Sequence, residues 1–174
     1  GHEYVDLGLS VKWATCNIGA NKPEEYGDYF AWGEIMPKYI YDSKTCSTGN
    51  KPIRDFSGNP EYDAARAIWG GQWRMPTKDE LKELKKKCKF IWTIQQGVSG
   101  CQVIGPNGNS IFLPAAGYKT GGSIHFGGEY GYYWSNTLCM TESIYAYYLY
   151  FSPGYIGRGS YERYHGQSVR GVCP

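Results

Sequence analysis

The clearest periodic signal in this chain is helical. Leu81, Leu84 and Cys88 recur at the spacing of one helix face. Just upstream, Thr77 and Glu80 stand three residues apart, the spacing of a capping box, in which a hydroxyl and a carboxylate each satisfy a free amide of the first turn. Pro76 discourages a helix from running through from before. Asp79, Glu80 and Glu83 occupy the first turns while Lys85, Lys86, Lys87 and Lys89 crowd the end, as the helix dipole favours. The pattern predicts a helix from 78 to about 87. An earlier, weaker helix is expected from Pro60, at a first helical position, to Gly70-Gly71.

Elsewhere the apolar positions come in short bursts that read as strands: 5–7 and 11–15 around Gly8-Leu9-Ser10, 29–32, 102–104, 110–113, 134–138, 143–151 and 167–172. Gly105-Pro106-Asn107-Gly108-Asn109 joins two of them as a hairpin, because Asn-Gly accepts positive φ. The 143–151 segment is apolar or aromatic on both faces, which fits a central strand. Residues 21–60 carry four prolines and little periodicity and read as a long ordered excursion. Residues 117–133 read as a glycine-dense loop, and 152–166 as an aromatic, polar turn region. With no repeat, low-complexity tract or linker, a single domain over 1–174 is expected.

Composition narrows the classes. A chain of 174 residues can bury roughly 70% of its unfolded surface and needs no staple to have a core. The 18 basic and 16 acidic residues leave +2, with no long basic stripe; the lysine run at 85–87 reads as a solvated helix end, so nucleic acid is not an expected partner. No segment approaches the about 20 apolar residues of a membrane span, and no signal peptide opens the chain. The abrupt start reads as a chain trimmed of its leader, with Gly1 left from a cleaved tag. Cys16, Cys46, Cys88, Cys101, Cys139 and Cys173 are even in number and lack zinc-type spacing, which points to an exported domain with one to three disulfides. Six cysteines allow 15 pairings. Buried free thiols are the other reading. The 24 glycines, 17 tyrosines and six tryptophans point to irregular segments held by ring packing, with tyrosine also a favoured contact residue on recognition faces.

Several distinctive strings follow one another along the chain. Residues 4–20 read YVDLGLSVKWATCNIGA and 29–34 read YFAWGE; Trp73-Arg74-Met75-Pro76-Thr77 opens the capped helix. Phe112-Leu113-Pro114-Ala115-Ala116-Gly117-Tyr118, Tyr133-Trp134-Ser135-Asn136 and Ser168-Val169-Arg170-Gly171-Val172-Cys173 follow. Together they resemble the Fibrobacter succinogenes major paralogous domain, a family of surface and secreted proteins of gut Bacteroidetes, over nearly the whole chain. The resemblance implies an α+β, C-type lectin-like fold: two helices packed on mostly antiparallel, short-stranded sheets with long ordered loops, related to formylglycine-generating and sulfatase-modifying domains. It also implies an extracellular or cell-surface location, with a lipid anchor in the precursor as one option, and a disulfide tying Cys173 to the body. That fold hosts sugar binders, protein binders and an oxidase, so function has to be read from the site.

Calcium-dependent lectins of this fold use a Glu-Pro-Asn or Gln-Pro-Asp loop and a Trp-Asn-Asp strand. Gly105-Pro106-Asn107 and Trp134-Ser135-Asn136 lack the carboxylates calcium needs, so neither calcium nor another metal or cofactor is expected. A structural disulfide accounts for Cys139 and Cys173 more simply than oxidase-type copper. No nucleophile elbow, phosphate loop or His-Glu-x-x-His helix occurs. His2 sits at an end free to be disordered, and His125 and His165 lie in expected loops. The reading is a binding domain rather than an enzyme. Its candidate face draws on two segments, 118–132 and 155–165: Tyr118, His125, Phe126, Glu129, Tyr130, Tyr155, Arg158, Tyr161 and Arg163, with Tyr164 beside them. Rings stack on sugars while charged and phenolic groups set orientation; the alternative is that these rings only form a core holding the loops. Trp13, Trp32, Trp69, Trp73 and Trp134 read as core. The expected role is adhesion or recognition of a glycan or surface protein, with a structural module of a pilus or other surface assembly as runner-up and a formylglycine-generating-type oxidase as a remote third.

Overall fold

The computed structural model describes residues 1–49, 51–54, 56–142 and 144–174. Eleven strands are described: β1 (Tyr4–Val5), β2 (Lys12–Asn17), β3 (Lys89–Gln95), β4 (Val98–Ile104), β5 (Ser110–Pro114), β6 (Tyr118–Thr120), β7 (Ser123–His125), β8 (Gly131–Leu138), β9 (Tyr145–Ser152), β10 (Tyr155–Glu162) and β11 (Arg170–Cys173). Two helices, α1 (Ala64–Trp69) and α2 (Lys78–Lys87), lie between β2 and β3. The strands form four small sheets in the orders β1-β2-β11, β10-β9-β8, β3-β4-β5 and β6-β7, and every strand pairing within them is antiparallel.

This architecture corrects the α+β, C-type lectin-like expectation. Strands make up 40% of the chain and helices only 9%, a β-rich fold of small sheets rather than two helices packed on short-stranded sheets with long loops. The difference lies in segments read as loops. Residues 117–133 hold the β6–β7 hairpin and the start of β8, and 152–166 hold all of β10, an eight-residue strand paired along its full length with β9. Glycines at 157 and 159 suppress the strand signal there, since glycine has low β-propensity. The pairing that overrides it is a hairpin, in which β10 folds back on β9 across Pro153-Gly154 with Tyr155 opposite Ser152. β3 had no reading at all. It is one of the two edge strands of its sheet, paired among the described residues with β4 alone, and its positions are exposed or intermediate throughout.

The first helix is shorter than expected. The 59–63 segment is a turn, and the helix starts after Asp63, whose carboxylate accepts from Arg66 N at 3.0 Å and from Gly58 N at 2.7 Å. The 29–32 strand reduces to a single bridge between Phe30 and Gln167. The expected first residue of the 143–151 strand, Ser143, lies outside the described residues, as do Asn50 and Asp55 of the 21–60 excursion. The second helix forms with the capping box intact: Glu80 N donates to Thr77 Oγ1 at 3.1 Å and Thr77 N to Glu80 Oε1 at 2.9 Å. Glu80 also receives both guanidinium amines of Arg74 at 2.7 Å, a bidentate pair that fixes the entry to the helix. Burial opposes ionisation of Glu80, but the Arg74 and Thr77 contacts win and hold its carboxyl below the usual range.

Two apolar clusters sit on opposite faces of the β10-β9-β8 sheet. One gathers Trp13, Leu81 and Leu84 of α2, Val103, Leu113, Tyr133, Leu149, Phe151 and Val172. The other gathers Phe30, Trp32, Phe56, Met75, Tyr132, Trp134, Ala146, Tyr148 and Val169. Trp13, Trp32, Trp73 and Trp134 are buried as expected, and Trp69 is half-buried. His2, expected to be free, stacks on Trp69 with ring centroids 3.9 Å apart. Among the described residues no helix is long and apolar enough to cross a membrane.

The disulfide expectation is not met: Cys16, Cys46, Cys88, Cys101, Cys139 and Cys173 are all free. Their positions explain it. Cys173 pairs in register with Lys12 at one end of the β2–β11 ladder and packs with Ala14 and Trp73, whereas Cys16 lies near the other end beside Asn17. Cys101 is sealed in the α2-side cluster, where burial pushes its thiol up to about 12, and burial pushes Cys88 up to about 11. Cys139 contacts Thr141 and Cys46 contacts Thr48, each at 3.4 Å.

Candidate functional site

Alternation along β8 and β9 sends neighbouring side chains to opposite faces. Tyr133, Leu149 and Phe151 point to the α2 side; Tyr132, Trp134, Tyr148 and Tyr150 point away from it. On that second face the register places Tyr150 opposite both Tyr132 and Gly157, and Tyr148 opposite Trp134 and Gly159. The two glycines are what lets the tyrosines lie down. A Cβ at Gly157 would stand 2.6 Å from Tyr150 Cζ, and one at Gly159 would stand 3.2 Å from the Tyr148 hydroxyl. The rings therefore spread across β10, and the next ring outward, Tyr155, is 5.6 Å from Tyr150 and joined to it hydroxyl to hydroxyl at 3.2 Å.

The β6–β7 hairpin extends this surface. Tyr118 sits at its hub, with centroid distances of 5.1 Å to Tyr132, 5.9 Å to Tyr161, 5.5 Å to His125 and 5.2 Å to His165. Phe126 packs edge-on to Tyr130 at 5.2 Å, and Tyr130 stacks on Tyr132 at 5.9 Å. Phe126 adopts φ +59°, a left-handed conformation that costs a bulky residue energy, and is 46% exposed. Strain of that kind persists where surrounding contacts hold it, here the backbone amides of Glu129 and Tyr130, which both donate to Phe126 O at 3.0 Å.

Tyr118, His125, Phe126, Tyr130, Tyr155 and Tyr161 thus belong to one connected set of rings. Tyr132 and Tyr148 form its buried floor; Tyr118, Tyr130, Tyr150 and Tyr161 are half-buried; His125, Phe126 and Tyr155 are exposed. Glu129 is exposed on the turn beside Tyr130. The two arginines are not on this face. Arg158 lies on the other side of β10, in register with core residue Leu149. Arg163 is 1% exposed, with its guanidinium 5.2 Å from the centre of the Trp32 ring. Strand alternation separates Arg158 from the rings, and the chain turns inward after β10 to bury Arg163.

Burial raises the phenol pKa of Tyr132, Tyr148 and Tyr118, and the hydrogen bond to Tyr155 together with burial raises that of Tyr150. These hydroxyls stay protonated at neutral pH, and that of Tyr150 donates to Tyr155. Burial lowers His165 below the ordinary imidazole value, with Glu162 at 3.9 Å pulling the other way and His125 adding to the lowering. Among the described residues no group of three His, Cys, Asp or Glu side chains converges where a metal ion could sit. Asn107 donates to Asp6 O at 2.9 Å, and Asn136 is buried, accepting from the Thr137 hydroxyl.

A family model described as Domain of unknown function (DUF8237) matches residues 95–172. The match contains β8, β9 and β10 and the β6–β7 hairpin, hence every ring of the face. No curated protein and no solved structure matches the chain.

Tyr132, Tyr148, Tyr150 and His165 were absent from the sequence-level site. The signal that carries them is a pair of alternations, Tyr148-x-Tyr150 and Gly157-x-Gly159, which face each other once β9 and β10 are paired. Read singly, the first looks like an ordinary strand and the second like a loop.

Proposed function

We propose that this chain is an exported, cell-surface recognition domain of the Fibrobacter succinogenes major paralogous type, which binds a glycan on its tyrosine face without calcium. The observation that carries this reading is the ring platform itself: Tyr148 and Tyr150 lie over Gly159 and Gly157, and half-exposed and exposed rings extend outward from the buried Tyr132 and Tyr148. A sugar ring offers an apolar C–H face and a rim of hydroxyls, matching flat aromatic surfaces edged by neutral phenol donors. The asparagines of the two calcium-type strings are spent on structural contacts.

A glycan array on the isolated domain tests the reading. Hits that survive EDTA and vanish in the Tyr150→Ala/Tyr161→Ala double variant, with the melting temperature nearly unchanged, support it. A wild-type array without hits would sink it.

A second reading has its own observation. Tyr39 (95% exposed) and Ile40 border the β6–β7 hairpin through the Tyr41–Gly121 bridge, adding to exposed Ile124 and Phe126 an apolar edge suited to a neighbouring subunit. An empty array together with self-association that Ile124→Asp abolishes would favour a surface-assembly module.

A further inference from the structure

The outer edge of β3 is left open by the sheet that contains it. β3 pairs with β4 over all seven of its residues without a register shift, and among the described residues no other strand pairs with it. The two-residue turn Gln96-Gly97, at φ +50° and +78°, closes that hairpin, so Gln95 and Val98 form a hydrogen-bonded pair. Alternation then turns the N–H and C=O groups of 89, 91, 93 and 95 toward β4, and those of Phe90, Trp92 and Ile94 outward. Pro114 gives the same parity independently. Having no N–H, it stands opposite Gly100 in a pair that is not hydrogen-bonded, which directs Gly100 to Thr93.

Natural sheets blunt such edges with proline, bulges or charges. From Phe90 to Gln95 there is none of these. The side chains are apolar on both faces. Phe90 and Trp92 reach the α2-side cluster, each with its ring 6.4 Å from Phe151, yet stay half-buried. Ile91 and Ile94 are 38% and 68% exposed. β5, the other edge strand, is buried from Ile111 to Pro114, so the sheet has one side on which to grow. The two ends of β3 differ in charge. Lys89, exposed, stands at its start after the lysines at 85–87. At its far end Gln95 Nε2 donates to Glu24 Oε1 at 2.7 Å, and Glu25 lies beside the turn against a single Lys22.

We propose that β3 pairs antiparallel with β3 of a second copy of this chain, about a two-fold axis at Trp92, to make one six-stranded sheet. In that register Trp92 faces the partner's Trp92 and Phe90 faces Ile94, in pairs whose outward backbone groups exchange hydrogen bonds. Ile94 of each copy covers the half-buried Phe90 ring of the other. Ile91 faces Thr93, and Lys89 faces Gln95, which brings each Lys89 ammonium toward the partner's Glu24. Two-fold symmetry makes every such pair twice, whereas parallel pairing would set lysine end on lysine end. Because β3 packs on the α2-side cluster, the contact uses neither the tyrosine face nor the Ile124 edge. The inference is therefore independent of both functional readings.

Sedimentation velocity of the whole domain over a dilution series tests it. A dimer that dissociates at about 10–100 μM is expected, as befits a small interface. Ile94→Pro removes an N–H that points away from β4, so it should keep the fold and weaken the dimer at least about tenfold. Ile94→Lys puts a charge at an exposed edge position and should do the same, which decides the matter if the proline variant fails to fold. Ile124→Asp should leave the dimer intact. Residue-resolved amide exchange reads the register: on concentration the amides of Phe90, Trp92 and Ile94 should slow, while those of Ile91, Thr93 and Gln95 are protected throughout. A monomer at concentrations up to about 1 mM would overturn the proposal. So would a dimer that Ile94→Lys leaves at wild-type strength, or one that forms without slowing the amides at 90, 92 and 94.

Discussion

The two faces of the β10-β9-β8 sheet start from the same strands and end as different surfaces. On one, Tyr133, Leu149 and Phe151 meet Leu81 and Leu84 of the helix α2, and none is more than 2% exposed. On the other, Trp134 and Ala146 are fully buried, and from there exposure climbs through Tyr132 and Tyr148, both at 8%, to Tyr155 at 54%. Tyr132 and Tyr133 are adjacent in sequence and show the contrast best. Tyr133 donates to Pro114 O at 2.8 Å and accepts from Asn17 at 3.2 Å; burial pushes its phenol up to about 12, even though Arg170 and Asn17 pull it down. Tyr132 spends its ring on Tyr118, Tyr130, Tyr148 and Tyr150. A face capped by a helix becomes core. A face left to rings on glycine becomes a platform.

The largest effect should come from the capped side. Phe151→Ala is expected to cost about 3–5 kcal/mol and Leu84→Ala about 2–5 kcal/mol in urea melts. Tyr150→Ala, one residue from Phe151 but on the platform, should cost under about 1 kcal/mol, in line with a half-exposed ring. Similar losses at 150 and 151 would erase the distinction between the faces.

Next is the glycine beneath the platform. Gly157→Val puts branched carbon where the Tyr150 ring lies and should cost about 1–3 kcal/mol through overpacking. It should also abolish glycan binding that the neighbouring Gly154→Ala retains. If Gly157→Val binds normally, the rings do not need their glycine floor.

Thr77→Ala tests the helix that closes the core face, and about 1 kcal/mol is expected from loss of the cap. A loss as large as that of Leu84→Ala would show that the hydroxyl does more than cap.

A pH series probes the platform side. Because burial holds His165 below its ordinary value of 6.5, the native state favours the neutral ring. Its contribution is complete above that value and is lost as pH falls from there to the lowered native pKa, since the unfolded chain binds the proton first. His165→Gln should therefore flatten the decline in stability between about pH 7.5 and 5, and an unchanged slope would assign the decline to other groups. The smallest effect is expected at the rim, where Tyr155→Ala should stay within about 0.5 kcal/mol while weakening glycan binding.

Legibility followed range. The capping box at Thr77 and Glu80, the Lys78–Lys87 helix and the turn between β4 and β5 were visible because each is decided within a few residues. Candidate rings at 118, 125, 126, 130, 155 and 161 were grouped because a lectin-like fold would set their two loops on one side; the structure brings the rings together through the β10-β9-β8 sheet and the β6–β7 hairpin instead. Their partners at 132, 148 and 150 were hidden inside what read as plain strands, and the arginines at 158 and 163 were misplaced because strand parity and the inward turn after β10 leave no local mark. The cysteines misled for a related reason: an even count says nothing about whether two Cβ atoms come within bonding reach.

By itself, the sequence determined the local vocabulary of this protein: where α2 starts and stops, which residues are apolar enough to be buried, and that aromatic area far exceeds what loops need. Those outcomes depend on propensities and contacts between neighbours, whose chain-entropy cost is small. Only the tertiary structure decided that glycine-rich 155–162 is a strand, which side of the sheet becomes a platform, and that Arg170 is fully satisfied while Nε and Nη1 of Arg163 have no partner among the described residues. The strand at 155–162 follows from the hairpin with β9, and the other two turn on pairings across long separations, such as Arg170 with Asn17, 153 residues apart. Such contacts form only when the whole chain closes, and strand parity then assigns every side chain to a face at once.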